Sequence, residues 1–393
     1  MKNLVSIFAG HDANISFYNA EANTYHSIEI ERFEKKRYFR LHEDNSPEYQ
    51  KYILESCRNI AEAEWGIKND YEAVLICSDG YIQTDPREIF NTEKVTTIAS
   101  HHQTHALSAL YLSPFDKALI ISYDGGGDDG HFNIYVGDKQ NGKIKLLKKV
   151  ESDFGGGYLL CGSMIREVAE KSRHQLGAPC QGKLMGLCGY GKVIPEFVPA
   201  FEEFFFDRDY EKLSNWTNLP LKNVNDPWKN PLENWAFEGQ YGYDIAATAQ
   251  EAFENAFFSV LDKYDTEVPL IVTGGCALNV LVNEKIKSRY NRELYIPPNP
   301  HDGSLSLGHL FLYKKPDKQI DITYAGLPLL DRYNLQDYVD KYDAVRVNKK
   351  EIAQLIKDGK IIGLVYGDSE VGGLGVYVLW GIALLYVTLI LLT

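Results

Sequence analysis

The chain has 393 residues, 45% of them hydrophobic, a formal net charge of −13 and six cysteines. That is enough apolar material for a large core and two domains or lobes, and the acidity argues against a general nucleic-acid binder and for small-molecule substrates. The cysteines (Cys57, Cys77, Cys161, Cys180, Cys188, Cys276) lack any C-x-x-C spacing and read as reduced thiols of a cytoplasmic protein.

The N-terminus turns polar too quickly for a signal peptide, and Leu4 to Ala9 reads instead as a strand. Gly10-His11-Asp12-Ala13-Asn14 is a turn, Ile15 to Tyr18 a second strand and Tyr25 to Ile30 a third, followed by a helix from Pro47 to Glu64 and a strand from Glu72 to Cys77. The plan recurs: Ala118 to Tyr123, a glycine turn from Asp124 to Gly130, Phe132 to Val136, then Lys143 to Val150. Two strand–turn–strand units with an acid at each turn predict a duplicated α/β fold whose hairpins face one another across a cleft.

Between the two units lies His101-His102-Gln103-Thr104-His105, ahead of an Ala-rich apolar run. If that run is helical, His101 and His105 share one face of its first turn and can grip one ion. Spacing alone does not make a metal site. Asp124 at a strand end and Asp302 in a helix-opening turn complete an N2O2 set that suits iron, manganese or zinc. His102 reads as a hydrogen-bonding neighbour rather than a ligand. His11 is either part of a polar hairpin turn or a base for an alcohol proton, since imidazole titrates near neutrality.

Ser163 to Lys171 is amphipathic, and Gly182-Lys183-Leu184-Met185-Gly186-Leu187-Cys188-Gly189-Tyr190-Gly191 reads as a glycine-rich loop in which Lys183 either holds phosphate or is solvated. Pro195 to Trp235 is aromatic and irregular and reads as a surface insertion, its Phe201–Trp235 part a guess at an acceptor pocket. Ile245 to Tyr264 is helical, and Leu270 to Val272 is a buried strand running into Thr273-Gly274-Gly275-Cys276-Ala277-Leu278-Asn279. Leu294 to Ile296 leads through Asp302-Gly303-Ser304 into a helix near Leu305. Glycine turns that open helices cradle phosphates. Neither glycine stretch matches a P-loop or a dinucleotide fingerprint, so a single mononucleotide between duplicated lobes fits better.

Taken together, Gly10-His11-Asp12-Ala13, Glu29-x-Glu31-Arg32-Phe33, His101-His102-x-x-His105-Ala106, Tyr111-x-Ser113-Pro114-Phe115, Asp124-Gly125, Gly182-Lys183-x-Met185-Gly186-Leu187-x-x-Tyr190-Gly191, Gly274-Gly275-x-Ala277-Leu278-Asn279 and Asp302-Gly303-Ser304 are specific. Over residues 1 to 367 the chain resembles the O-carbamoyltransferases of nodulation-factor and antibiotic biosynthesis, whose N-terminal domain is related to the tRNA threonylcarbamoyl-transfer protein. The resemblance implies a two-lobed actin/sugar-kinase/heat-shock-ATPase-like fold with a central cleft. It also implies a reaction in which carbamoyl phosphate and ATP give carbamoyl adenylate in a C-terminal YrdC-like domain, and the metal-bearing N-terminal domain passes the carbamoyl group to a substrate hydroxyl. By position, His101, His105, Asp124 and Asp302 match the iron ligands, and His11 matches the base. Gly274, Gly275 and Asn279 match the nucleotide-side turn, with Lys183 and Gly303 assigned to the same cofactor. A small-molecule hydroxyl acceptor is implied, with no nucleic-acid partner; a homo-oligomer is left open. The rival readings are a sugar-kinase-like phosphotransferase, which would need magnesium and has no use for paired histidines, and an inactive nucleotide-binding remnant.

Residues 1–330 are assigned to the N-terminal domain with the 195–235 insertion, and 331–370 to a linker and the start of a truncated YrdC-like domain. Residues 371–393 form an uncharged tail. By length the tail qualifies as a membrane span. Back-translated one base earlier, however, Tyr377 to Thr388 permits R-A-L-G-[HN]-[RS]-S-I-L-C-D, the run that follows in the resembled family. The tail is therefore read as out of frame rather than as an anchor, and this chain as lacking the domain that makes carbamoyl adenylate.

Overall fold

The computed structural model describes residues 2–41, 46–77, 82–98, 100–169, 180–217, 237–264, 267–328, 335–345, 347–360, 362–365, 368–369, 371 and 388–391. The chain divides into two units, Met1–Thr97 with Ile320–Thr393, and Ile98–Gln319.

The first unit opens with β1 (Asn3–Phe8), β2 (Asn14–Asn19) and β3 (Thr24–Glu29), then the short α1 (Ile30–Glu34), α2 (Pro47–Trp65), β4 (Tyr71–Cys77) and β5 (Val95–Ile98). The sheet runs β3-β2-β1-β4-β5, with β1 antiparallel to β2 (Ser6 opposite Ser16) and parallel to β4 (Val5 opposite Val74). Helix α2 has clear sequence boundaries. The Ser46 hydroxyl accepts from Tyr49 N, Pro47 supplies a fixed φ in the first turn, and Gly66 ends the helix at φ +65°. Its Ile53, Leu54, Cys57 and Ala61 form the stripe buried against the sheet's Val5, Ile7 and Val74.

In the second unit come α3 (His101–Leu112), β6 (Lys117–Tyr123), β7 (Phe132–Asp138), β8 (Lys143–Lys149), α4 (Phe154–Ser163), α5 (Arg166–Ala169), α6 (Cys180–Leu187), α7 (Val198–Asp207), α8 (Tyr210–Thr217), α9 (Gly239–Leu261), β9 (Leu270–Thr273), α10 (Val280–Arg289), β10 (Leu294–Tyr295) and α11 (Leu305–Tyr313). Its sheet runs β10-β9-β6-β7-β8. Read by rank within each unit, both sheets have the order third-second-first-fourth-fifth, with antiparallel hairpins on one side of the first strand and a parallel fourth strand on the other. The duplication expected from the repeated hairpins is therefore present, as a two-sheet α/β fold. Alternation along β6 covers both faces: Leu119, Ile121 and Tyr123 join Phe154, Phe205, Phe253 and Phe257, while Ala118 and Ile120 pack on Ala106, Ala109 and Leu110 of α3.

The chain then returns to the first unit through α12 (Leu335–Tyr342), α13 (Lys349–Lys357) and β11 (Ile362–Val365), which pairs in parallel with β12 (Thr388–Leu391). Helix α13 begins with a capping box between Asn348 and Glu351. Helix α12 falls in the stretch expected to be a linker.

Two other expectations are corrected. Gly182 to Gly191 is not a loop: residues to Leu187 belong to α6, and a 3-10 turn follows at Cys188–Tyr190. A Cβ at Gly186 or Gly189 would meet nothing within 4 Å, so these glycines are imposed by neither contact nor conformation. Nor is the aromatic segment irregular where described. Phe201, Phe204 and Phe205 stand at helical spacing on α7 and are fully buried in the core, so they do not line an acceptor pocket; residues 218–235 lie outside the described residues. No helix among the described residues is long and apolar enough to cross a membrane, and most of the apolar tail (372–387, 392–393) is outside them.

Candidate metal centre

Helix α3 starts where β6 will end. Its first turn is held from outside by the glycine turn after β6: Asp128 Oδ1 accepts from His101 N at 2.8 Å, and Asp129 accepts from His102 N at 2.8 Å and Gln103 N at 3.2 Å. Two carboxylates thus satisfy N–H groups that the helix leaves unpaired and complement the positive end of its dipole. Asp128 and Asp129 belong to the glycine turn from Asp124 to Gly130, where sequence alone assigns them no role. Gly127 lets the loop pass close over the helix, since a Cβ there would sit 2.7 Å from the His101 side chain.

With α3 fixed this way, His101 and His105 project from one face and are buried. Their Nε2 atoms are 3.2 Å apart. Asp302, in the 3-10 turn that opens α11, places Oδ1 at 3.3 Å from His101 Nε2 and 3.2 Å from His105 Nε2. Asp124, at the end of β6, places Oδ2 at 3.5 Å from His105 Nε2. One ligand atom from each of these four residues lies within 4.8 Å of the others. Bonds of about 2.0–2.2 Å to a tetrahedral cation put ligand atoms roughly 3.3–3.6 Å apart, so the shorter spacings fit such a site. All four residues belong to the second unit.

The electrostatics fit a cation as well. Burial opposes a charge on His101, but Asp302, and behind it Asp124 and Asp129, outweigh burial and push the imidazole up to about 9. For Asp124, burial and the Asp302 charge favour the neutral acid, yet hydrogen bonding and charge from His105 and His101 hold its carboxyl below the ordinary value. The pair of carboxylates draws positive charge into a buried pocket. Each histidine's Nδ1 is buried without a hydrogen-bond partner among the described residues.

His102 faces elsewhere, as expected. Its Nε2 donates to Gly130 O at 2.9 Å, leaving Nδ1 to accept from the Ser122 hydroxyl at 2.8 Å. Burial, then the charges of His101 and His105, push it down to about 4. His309 on α11, which the sequence reading missed, is buried with both ring nitrogens unpartnered among the described residues; burial and then the same two imidazoles push it down to about 3. Its only signal in the sequence was a histidine inside an apolar helix.

The remaining assigned residues have definite places. His11 lies in the β1–β2 turn of the first unit, half exposed, with Nδ1 at 2.9 Å from Asp12 Oδ2. Asp12 takes φ +62°, a left-handed conformation that aspartate tolerates. Gly274 (φ +90°) follows β9 and packs on the end of β6, where a Cβ would stand 2.2 Å from Tyr123 O; its N–H donates to Pro300 O at 2.8 Å. The Gly275 N–H donates to Asp124 Oδ2, so this turn holds the Asp124 carboxylate directly. Asn279 caps α10 through Val282 N and exchanges hydrogen bonds with Gln250, while Gly303 is buried in the Asp302 turn. Lys183 sits half-buried within α6.

A family model described as carbamoyltransferase N-terminus matches residues 11–309. The nodulation protein NolNO of Sinorhizobium fredii is 28% identical over 320 residues, covering 76% of this chain and 44% of that protein. The uncharacterized protein MJ1051 of Methanocaldococcus jannaschii is 27% identical over 293 residues, 69% of this chain and 53% of the relative. The chain thus spans about half the length of the curated relatives it matches. Among solved structures, full-length HypF in its phosphate- and nucleotide-bound form aligns with 79% of this chain and 46% of its own, at 13% identity and a TM-score of 0.43.

Proposed function

The chain belongs to the carbamoyltransferase family through its N-terminal domain, and from that premise we propose that it transfers a carbamoyl group from carbamoyl adenylate, made from carbamoyl phosphate and ATP, to a hydroxyl of a small-molecule acceptor. The observation that carries the proposal is the convergence of His101, His105, Asp124 and Asp302. A sugar-kinase-like reaction with magnesium would have no use for two buried imidazoles aimed at one point.

In this reading those four residues hold a divalent cation, iron by the family resemblance. When bound, it supplies Lewis-acid polarisation of a carbonyl that is otherwise a poor electrophile. The chain's own residues do the rest. With Nδ1–H donating to Asp12, His11 keeps a lone pair on Nε2 that accepts the acceptor's hydroxyl proton. The freed oxygen bonds to the carbamoyl carbon, the bond from that carbon to the adenylate oxygen breaks, and AMP leaves with the electron pair. Gly274, Gly275, Asn279, Gly303 and Lys183 are assigned to the nucleotide. Of these, Gly274, Gly275, Asn279 and Gly303 already carry structural hydrogen bonds, so their part is to shape the turns.

Elemental analysis of the purified chain, followed by AMP release from supplied carbamoyl adenylate across a panel of hydroxyl acceptors, tests this. Stoichiometric iron or zinc, lost in Asp302→Ala together with AMP release, is expected. A folded chain that takes up no transition metal, or that moves the ATP γ-phosphate with magnesium alone, would sink the proposal.

A further inference from the structure

We propose that His131 is a positioning residue for the Asp124 carboxylate, acting through the loop that carries it, and thereby sets how tightly the centre holds its cation. The inference rests on the metal reading given above.

The loop from Asp124 to His131 joins β6 to β7 and is closed at its neck by Asp124 N donating to His131 O at 2.9 Å. Asp124 can serve as a ligand only if this glycine-rich loop keeps one shape. Three glycines in a row follow it, and glycine has the widest backbone freedom of any residue.

Three contacts remove that freedom. The Gly125 N–H donates to Asp124 Oδ1 at 2.6 Å, fixing the carboxylate from its own loop. Gly155 packs against the same spot so closely that a Cβ there would lie 2.4 Å from Gly125 N. The third contact is the His131 ring: its Nδ1 lies 3.2 Å from Gly125 O and 3.5 Å from Asp153 Oδ2. A carbonyl only accepts, so Nδ1 carries the hydrogen and donates it to Gly125 O, while the Asp153 carboxylate stands at ion-pair distance and holds the ring by charge.

Asp153 is itself immobilised. It is 4% exposed, Oδ1 accepts from Gly156 N at 2.6 Å at the start of α4, and Oδ2 meets the Arg208 guanidinium at 2.9 Å. The linkage therefore runs from a buried helix cap, through the imidazole, to the carbonyl of the residue after the ligand. That is the outer-shell arrangement that orients metal-binding carboxylates, and loss of such a partner weakens metal binding by about 10–100-fold.

Titration of the full chain with Co2+, followed by its visible absorption, tests the assignment. His131→Ala is expected to bind Co2+ about 10–100-fold more weakly, with an altered spectrum, while keeping its far-UV circular dichroism. His131→Asn, which keeps a donor at the Nδ1 position, is expected to recover most of the affinity. His131→Gln, whose donor falls at the Nε2 position, is not. Should His131→Ala fail to fold, the Asn and Gln variants decide alone: equal affinity in the two overturns the proposal. Wild-type affinity and spectrum in His131→Ala overturn it while leaving the metal reading intact. A wild-type chain that binds no Co2+ overturns both.

Discussion

Replacing Asp129 with alanine removes the carboxylate whose two oxygens close the first turn of α3, on His102 N at 2.8 Å and Gln103 N at 3.2 Å. A side-chain cap at a helix start is worth about 1 kcal/mol, and an acid there gains a further 0.3–1 kcal/mol or so from the helix dipole. The loss, about 1–2 kcal/mol, should lower the melting temperature by roughly 2–4 °C per kcal/mol, or roughly 2–8 °C in all. Asp128→Ala should cost less, because Asp128 is exposed and, among the described residues, holds one N–H of the turn, His101 N at 2.8 Å. Asp129→Asn, which keeps one acceptor but no charge, should fall between wild type and Asp129→Ala. Because the turn being frayed carries both imidazoles, Co2+ affinity should fall in the same order. Calorimetry and metal titration on the three variants check this. If Asp129→Ala melts with wild type, or loses stability while its metal affinity stays put, the coupling of cap to centre is wrong.

Other consequences are equally direct. Gly155→Ala places a methyl 2.4 Å from Gly125 N and 2.5 Å from Gly125 Cα, backbone atoms that cannot swing aside; a destabilisation of about 1–3 kcal/mol with weakened metal binding is expected, seen by denaturant melts and metal analysis. His26, stacked on Trp65 with ring centroids 4.4 Å apart, is pushed by burial from 6.5 down to about 4. The unfolded chain therefore takes up a proton that the folded one refuses, so the stability present above 6.5 is lost as pH falls toward 4. His26→Phe should flatten the pH dependence of the melting temperature across that window. Saturating cation should stabilise the chain by about 2.7 kcal/mol at a hundred times its dissociation constant, a gain that chelation should reverse.

Much of this was legible from residue order. The repeated strand–turn–strand pattern revealed the duplication because β1, β2, β6 and β7 are buried almost end to end, so each reads as an apolar run bounded by a polar turn. The clustering of His101, His105, Asp124 and Asp302 could be read because the paired histidines open a helix and each aspartate ends a strand or begins a helical turn, places where side chains point at a shared edge. What failed was glycine and aromatic content taken as punctuation. In α6 the buried Cys180 and Leu184 carried a helical spacing that four glycines in ten residues obscured. In α7 the spacing of Phe201, Phe204 and Phe205 was that of a core helix. Asp128, Asp129 and His131 could not be found by local pattern at all, because their partners (the α3 N-terminus and Asp153) are brought to them by the sheet and by α4.

The matching strand order of the two sheets has a further meaning. The bend between the first and second strands is the same topological post in each half, filled by His11 in one and by Asp124 in the other. An ancestral doubling would have handed the molecule two equivalent perches, each braced by its own sheet.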